Sequence, residues 1–360
     1  MSKIDFSSLT AYIPEAVRDL NDLIKDAVFK HPEMQRYMTI VDGIEHDTKI
    51  GFYDELADIG KKANTANCTL NEVTANVSTS EKKWEPKRWD TRLVLCADDI
   101  NNTIAQKTLK KGISRYDMTE TQYMDLFQEL LIEALVKMYN RFAWITDTDA
   151  AKFSDSPPGH ITNAKDLDYL NFVDGAWKQI FTVGANTAAQ RVTISENAES
   201  TYSDQADISA ADALGYLENM IYNAPLEMRQ RIGEGGYEML VTQRLYDMFA
   251  KNFKEASNLE SNREDLQRGI RSLSLDGVPI IPVPEMDVKI RTWHDDGSKY
   301  YRPNRALLYN KNNLLIGVPD TRTWGEFDMF YERKDKKVYI DMEDQIDVKI
   351  LHDNLVMAAY

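Results

Sequence analysis

Apolar residues recur at steps of three and four positions through residues 119–145, and this spacing predicts one long helix. The stripe is made of residues that would share one helical face: Phe127, Leu131, Ala134, Met138 and Phe142. Such a pattern is typical of a helix with one buried side. At 1.5 Å per residue the helix would be roughly 40 Å long. We therefore expect a spine on which other elements pack.

A second pattern, with a period of two, occupies residues 337–350 and predicts a long strand. The even positions are apolar with one exception, Asp344; they are Val338, Ile340, Met342, Ile346, Val348 and Ile350. Residues 327–332 supply a partner strand, and the charged run 333–337 supplies the connecting turn. Strict alternation indicates an antiparallel hairpin with one solvated face. Its length is roughly 40 Å at about 3.3 Å per residue, so we expect the spine helix to pack along it.

Strand-like pieces near residues 37–54 and 89–97 flank a polar stretch rich in Asn and Thr, which predicts a projecting β-hairpin arm. The returning limb interleaves basic and aromatic residues: Lys82, Lys83, Trp84, Lys87, Arg88, Trp89 and Arg92. Such a limb suits single-stranded nucleic acid or an acidic neighbouring subunit. Because the chain itself is strongly acidic, the sequence favours the subunit interface.

The N-terminal region predicts a short amphipathic helix over residues 14–29. One face of this helix is apolar and consists of Val17, Leu20, Ile24 and Val28. A lone helix of this length is not stable in water, so this face must pack on the same chain or on a neighbour. Residues 166–324 then alternate helical and strand patterns, which predicts a mixed α/β region.

Composition narrows the possible functions. The formal net charge is −15, which argues against a surface that grips nucleic acid through its phosphates. The two cysteines, Cys68 and Cys96, lack metal-binding spacing and are expected to be free thiols. No apolar run is long enough to span a membrane, and the first residues lack an apolar signal core. We expect a protein kept in a cytosol-like compartment.

Candidate catalytic residues are sparse. The five histidines are scattered, and no phosphate-binding glycine loop or nucleophile motif is present. Acidic pairs such as Asp147 with Asp149 and Asp295 with Asp296 could bind a cation or act as acid and base, but solvated loop charges and helix caps are the favoured interpretation. We therefore predict no enzyme activity, no cofactor and no metal.

The order of these parts resembles the major capsid proteins of tailed double-stranded DNA bacteriophages, which have the Hong Kong 97-type capsid fold. The resemblance is carried most specifically by three stretches: LDGVPIIPVPEMD, RALLYNKNNLLIGV and FDMFYERKDKKVYIDMEDQIDVKI. It implies an α+β fold with an N-terminal arm (1–36), an extended loop (37–99), a peripheral domain with the spine helix (100–146), a mainly axial domain (147–324) and a returning peripheral hairpin (325–360).

The function that this resemblance implies is assembly. Copies would close as hexamers and pentamers into an icosahedral head that encloses double-stranded DNA without sequence-specific binding. The chain would be a virion component assembled in the host bacterial cytoplasm. Its partners would be further copies of itself, a separate scaffolding protein, a portal and, in some members, decoration proteins. Two alternatives remain: an encapsulin-type shell holding a cargo enzyme, and a soluble α+β hydrolase with a carboxylate site.

Overall fold

The computed structural model describes residues 24–53, 79–96, 120–152, 166–257, 273–332, 334 and 337–360. These residues form an α+β fold with a five-stranded, a six-stranded and a two-stranded sheet. The helices are α1 (24–29), α2 (Pro32–Tyr37), α3 (Glu120–Trp144), α4 (Ala176–Asn186), α5 (Tyr202–Ala206), α6 (Ala210–Tyr222), α7 (Leu226–Glu234), α8 (Gln243–Ser257) and α9 (Pro284–Trp293).

The strands are β1 (Thr39–Asp42), β2 (Lys49–Tyr53), β3 (Thr79–Lys83), β4 (Lys87–Cys96), β5 (Arg191–Val192), β6 (Tyr237–Val241), β7 (Leu273–Leu275), β8 (Val278–Pro282), β9 (Ala306–Asn310), β10 (Leu314–Val318), β11 (Glu326–Glu332), β12 (Lys337–Ile350) and β13 (Met357–Ala359). Short 3-10 turns lie at Leu167–Tyr169, Ala188–Gln190, Ser195–Ala198, Lys311–Asn313 and Asp353–Leu355.

The predicted spine helix is confirmed as α3, which has 25 residues. Its buried face differs in part from the predicted stripe, because Ala134 is exposed and Met138 is only partly buried. The buried residues recur at steps of four, four and three: Leu131, Leu135, Tyr139 and Phe142. The side chain of Phe127 lies outside the described part of the chain. Tyr139 is fully buried in the core, although the predicted stripe, which was chosen from apolar residues, did not include it.

The long hairpin is also confirmed, and β12 is the central strand of the five-stranded sheet. Residues from Lys337 to Glu343 pair with β11, and the same residues pair with β4 in a register that continues to Ile346. The two neighbours therefore lie on opposite edges of β12. The last residues of β12 pair with β10, which in turn pairs in parallel with β1.

The six-stranded sheet separates two hydrophobic cores. Along β9, Leu307 and Tyr309 belong to the core that contains α3, whereas Ala306 and Leu308 belong to a second core beneath α6 and α8. Successive side chains of a strand point to opposite faces, so this sheet is buried on both sides. Burial on both faces accounts for the continuous apolar runs in this part of the sequence.

The predicted arm has a described base. Strands β2 and β3 form an antiparallel two-stranded ribbon with Lys49 opposite Lys83, and residues 54–78 lie outside the described part of the chain. The strands that flank the ribbon, β1 and β4, belong to the five-stranded sheet. Where ribbon and sheet meet, Trp84 packs with Ile44 and Leu315.

Gly317 on β10 gives a test of this junction. A methyl group at this position would come within 2.7 Å of the Trp84 ring and 2.8 Å of Ile44. Because both neighbours are buried, we expect Gly317→Ala to lower the free energy of unfolding by about 1–3 kcal/mol. Urea denaturation measures this change. Gly215→Ala in α6 is the matched control, since nothing lies within 4 Å of its added methyl and alanine favours helix by up to about 1 kcal/mol. Equal stability of Gly317→Ala and the wild type would contradict the packing described here.

Candidate subunit interface

The two tryptophans of the basic limb are buried within the chain itself. Trp84 is 3% exposed and Trp89 is 6% exposed. Trp89 stands edge-on to Tyr139 and Trp324, with ring centroids 5.8 and 5.7 Å apart. Alternation along β4 explains this placement, because Trp89 points into the core while Arg88 and Arg92 point outward. Both indoles therefore pack within their own chain, and their part in an interface between subunits stays a prediction.

The arginines of the limb face solvent and pair with acids on β12. The Arg92 guanidinium donates to both carboxylate oxygens of Asp341, at 2.6 and 2.5 Å, and Arg88 pairs with Glu343. The hydrogen bond from Arg92 lowers the pKa of Asp341. Exposed pairs of this kind contribute at most about 1 kcal/mol. They link β4 to β12 while both arginine side chains stay more than half exposed.

The lysines of the limb gather at the base of the ribbon. The ammonium of Lys82 donates to the Ile350 carbonyl at 2.6 Å and to Asp353 at 2.7 Å. Lys83 and Lys87 make longer pairs, 3.6 Å to Asp47 and 3.8 Å to Glu85. All three lysines line one polar groove of about 510 Å³. The exposed members of the limb therefore stay candidates for contacts between subunits.

The N-terminal helix is held by a buried ion pair that the sequence analysis missed. Lys25 is fully buried, and its ammonium lies 2.6 Å from Asp344 and 2.6 Å from the Thr323 carbonyl oxygen. Tyr139 donates its hydroxyl hydrogen to Asp344 at 3.2 Å. Asp344 is the one polar residue that breaks the alternation of β12, and this break was the available signal. The sequence thus pointed to Asp344, the acceptor of the pair, but gave no sign that Lys25 is its donor.

Burial acts on both charges of this pair. Desolvation lowers the pKa of Lys25 and raises the pKa of Asp344, while the attraction between the two groups opposes both shifts. The Trp324 ring, with its centroid 5.1 Å from the Lys25 ammonium, adds a cation–π contact. Two partners and an aromatic face together replace much of the water that the ammonium loses. The pair joins α1 to β12 and, through Tyr139, to α3.

The predicted packing face of the N-terminal helix is described in part. Ile24 and Val28 have no exposed surface and belong to the core that contains α3. Phe29, next to them, contacts the Tyr139 ring at a centroid distance of 4.9 Å. Val17 and Leu20 lie outside the described residues. The described end of this helix thus packs on its own chain, and a role of the whole face between subunits remains a prediction.

The acidic pairs serve local structure. Lys178 binds both Asp147, at 2.8 Å, and Asp149, at 2.6 Å. Asp296 accepts hydrogen bonds from the backbone N–H groups of Ser298 and Lys299, each at 2.8 Å. These are contacts that stabilise turns. Among the residues the structure describes, no group of three or more His, Cys, Asp or Glu is arranged to hold a metal ion, and no helix is long and apolar enough to cross a membrane. Cys68 lies outside those residues.

Neither a protein-family model nor a curated protein matches this sequence. Solved structures that the chain resembles include "Satellite phage P4 procapsid including size determination (Sid) protein", at 9% identity and a TM-score of 0.49, covering 95% of this chain and 98% of that one. For "Gordonia phage Cozz" the identity is 11% and the TM-score 0.49, and the match covers 90% of this chain and 84% of that one. For "Capsid structure of the Cyanophage P-SCSP1u" the identity is 10% and the TM-score 0.47, and the match covers 90% of this chain and 86% of that one. At these values the likeness alone decides neither the fold family nor the activity.

Proposed function

We propose that this chain is the major capsid protein of a tailed double-stranded DNA bacteriophage. In this role it is a structural protein whose copies close as hexamers and pentamers into an icosahedral head. The observation that carries the proposal is one shared core, in which α1, the spine helix α3 and the sheet around β12 meet at Trp89, Tyr139 and Trp324. We assign this core to the peripheral domain of the plan that the sequence resembles, and the ribbon of β2 and β3 follows from β1 and leads into β4 of its sheet.

The ribbon supports an assembling protein on physical grounds. It pairs with neither larger sheet among the described residues, and a two-stranded sheet is only marginally stable in water. Contact with another subunit would supply the missing burial. Symmetric contacts of this kind, repeated over many copies, are how closed shells form.

The proposed partners follow from this role. Further copies of the chain are the principal partner, together with a separate scaffolding protein, a portal and decoration proteins. The head would enclose double-stranded DNA without sequence-specific contact, because a net charge of −15 repels phosphates at long range. We place the protein in the virion, assembled in the host bacterial cytoplasm, and assign it no catalytic activity.

Light scattering on the purified recombinant protein, followed by electron microscopy of large species, tests this function. The protein should be measured over a range of concentrations, with and without a co-expressed scaffold. Closed shells, tubes or capsomer rings are the expected result. A monomer under every condition would overturn the proposal. A defined protein cargo inside shells made without scaffold would instead identify an encapsulin-type compartment.

A further inference from the structure

A polar groove lies where the base of the ribbon meets the end of β12. Its volume is about 510 Å³, within the range of pockets that bind ligands. Four lysines from three strands line it: Lys82, Lys83, Lys87 and Lys349. The lining also includes Thr148 and Asp174, from the turn after α3 and the residues before α4. This concentration of ammonium groups stands out on a protein with a net charge of −15.

The lysines of the groove outnumber its carboxylates, so a further carboxylate can bind there. The four lysines face three carboxylates in the lining, which belong to Glu85, Asp174 and Asp347. The Asp174 carboxylate already accepts hydrogen bonds from the N–H and the hydroxyl of Thr148, at 2.9 and 2.7 Å. Asp347 is buried and accepts a hydrogen bond from the Glu85 N–H at 2.7 Å. Asp174 and Asp347 are thus occupied by local structure, while the Glu85 carboxylate lies 3.8 Å from the Lys87 ammonium.

Two of the lysines, Lys83 and Lys87, are held more loosely than these acids, whereas Lys82 lies 2.6 Å from the Ile350 carbonyl oxygen and 2.7 Å from Asp353. Lys83 and Lys87 are about half exposed, and their ion pairs measure 3.6 and 3.8 Å. Exposed pairs are worth about 0–1 kcal/mol, and each ammonium has three N–H donors. Both lysines therefore retain donors for a further carboxylate at little energetic cost.

We infer that this groove is an acceptor for carboxylates of a second copy of this chain, an inference that rests on the proposed function. A second copy displays suitable groups: neither Lys nor Arg occurs between Arg191 and Arg229, and Glu199, Asp204 and Asp207 within that span are exposed. Complementary charges of this kind set the register and the rate of association between subunits. A nucleic acid is the disfavoured ligand, because its phosphates would meet the acidic field of the whole protein.

Charge reversal in the groove tests the inference. Lys83→Glu combined with Lys87→Glu is compared with Lys30→Glu combined with Arg229→Glu, which changes the net charge equally at exposed positions outside the groove. The groove variant is expected to lower the assembled fraction at least about tenfold, because like charges then oppose each other. The control should assemble as the wild type does, and both variants should keep the wild-type melting temperature. Equal assembly of the two variants, or equal loss, overturns the inference.

Zero-length carbodiimide cross-linking tests the contact independently of shell formation. Copies labelled with ¹⁴N and ¹⁵N are mixed at high concentration, and cross-linked peptides are identified by mass spectrometry. Mixed-isotope links from Lys83 or Lys87 to an Asp or Glu are expected. Links confined to one copy, such as Lys87 to Glu85, overturn the inference. If the wild type forms no large species but gives these mixed links, the shell function fails while the groove contact stands.

A short DNA duplex at low salt is the third arm of the test. Neither the wild type nor the groove variant is expected to bind it. Binding by the wild type that the groove variant loses would identify the groove as a phosphate site and would overturn the assignment to a second copy.

Discussion

Asp344→Ala is expected to lower the free energy of unfolding by about 3–5 kcal/mol. The substitution leaves the Lys25 ammonium buried beside the Thr323 carbonyl oxygen and the Trp324 ring, without its ion-pair partner. It also removes the acceptor of the Tyr139 hydroxyl. An uncompensated buried charge is among the most destabilising changes that one substitution makes. Urea denaturation with tryptophan fluorescence measures the loss.

Two further variants separate the buried pair from ordinary surface charge. Asp341→Ala removes the partly exposed partner of Arg92 on the same strand and should lower the free energy of unfolding by at most about 1 kcal/mol. Lys25→Met combined with Asp344→Leu removes both buried charges and should be more stable than Asp344→Ala, because no unpaired ion remains. A loss below about 1 kcal/mol for Asp344→Ala would show that the pair does not form.

Trp89→Ala is the second large effect, with an expected loss of about 3–5 kcal/mol. The indole is buried among rings, with centroids 5.8 Å from Tyr139, 5.9 Å from Phe142 and 5.7 Å from Trp324. Its removal leaves a cavity at the place where β4, α3 and the segment before β11 meet. The surrounding elements are fixed by strand pairing and relax only in part, so the cavity term persists. Denaturation curves and near-ultraviolet circular dichroism report the loss.

Val94→Ala on the same strand is the matched control. Val94 is 48% exposed, and an exposed truncation of this kind should change stability by no more than about 0.5 kcal/mol. The pair of variants also decides the role of the indole. If Trp89→Ala keeps the stability of the wild type but no longer assembles, Trp89 acts in the subunit interface and its packing role is contradicted.

The sequence predicted those elements whose periodicity is local and long. The spine helix and β12 each extend over several repeats, so the helical period and the alternation identify them without knowledge of their neighbours. The basic limb was harder to interpret because aromatic and basic residues suggested a ligand surface. The alternation of Arg88, Trp89 and Asp90 along β4 carried the correct signal, in which the odd position faces inward.

Contacts between distant segments had no such signal. Asp344 was visible as an exception in β12, but nothing in the sequence around Lys25 indicates burial beside it. The lysine groove likewise combines residues of the ribbon with Lys349 at the other end of the chain. Neither the volume of the groove nor its lining by Thr148 and Asp174 follows from the spacing of residues in the sequence. Only tertiary placement brings these groups together.

The central position of β12 also has a consequence for synthesis on the ribosome. Arg88 lies 255 positions from Glu343, its ion-pair partner on β12, and Lys25 lies 298 positions from Thr323. The apolar side chains of α1 and β4 therefore stay exposed to solvent until nearly the whole chain has been synthesised. Pairing between segments so far apart in sequence is also slow. A translation product cut short before residue 337 lacks the strand that β4 and β11 both require. We therefore expect prematurely ended chains to remain unfolded and so to be excluded from any assembly that requires folded subunits.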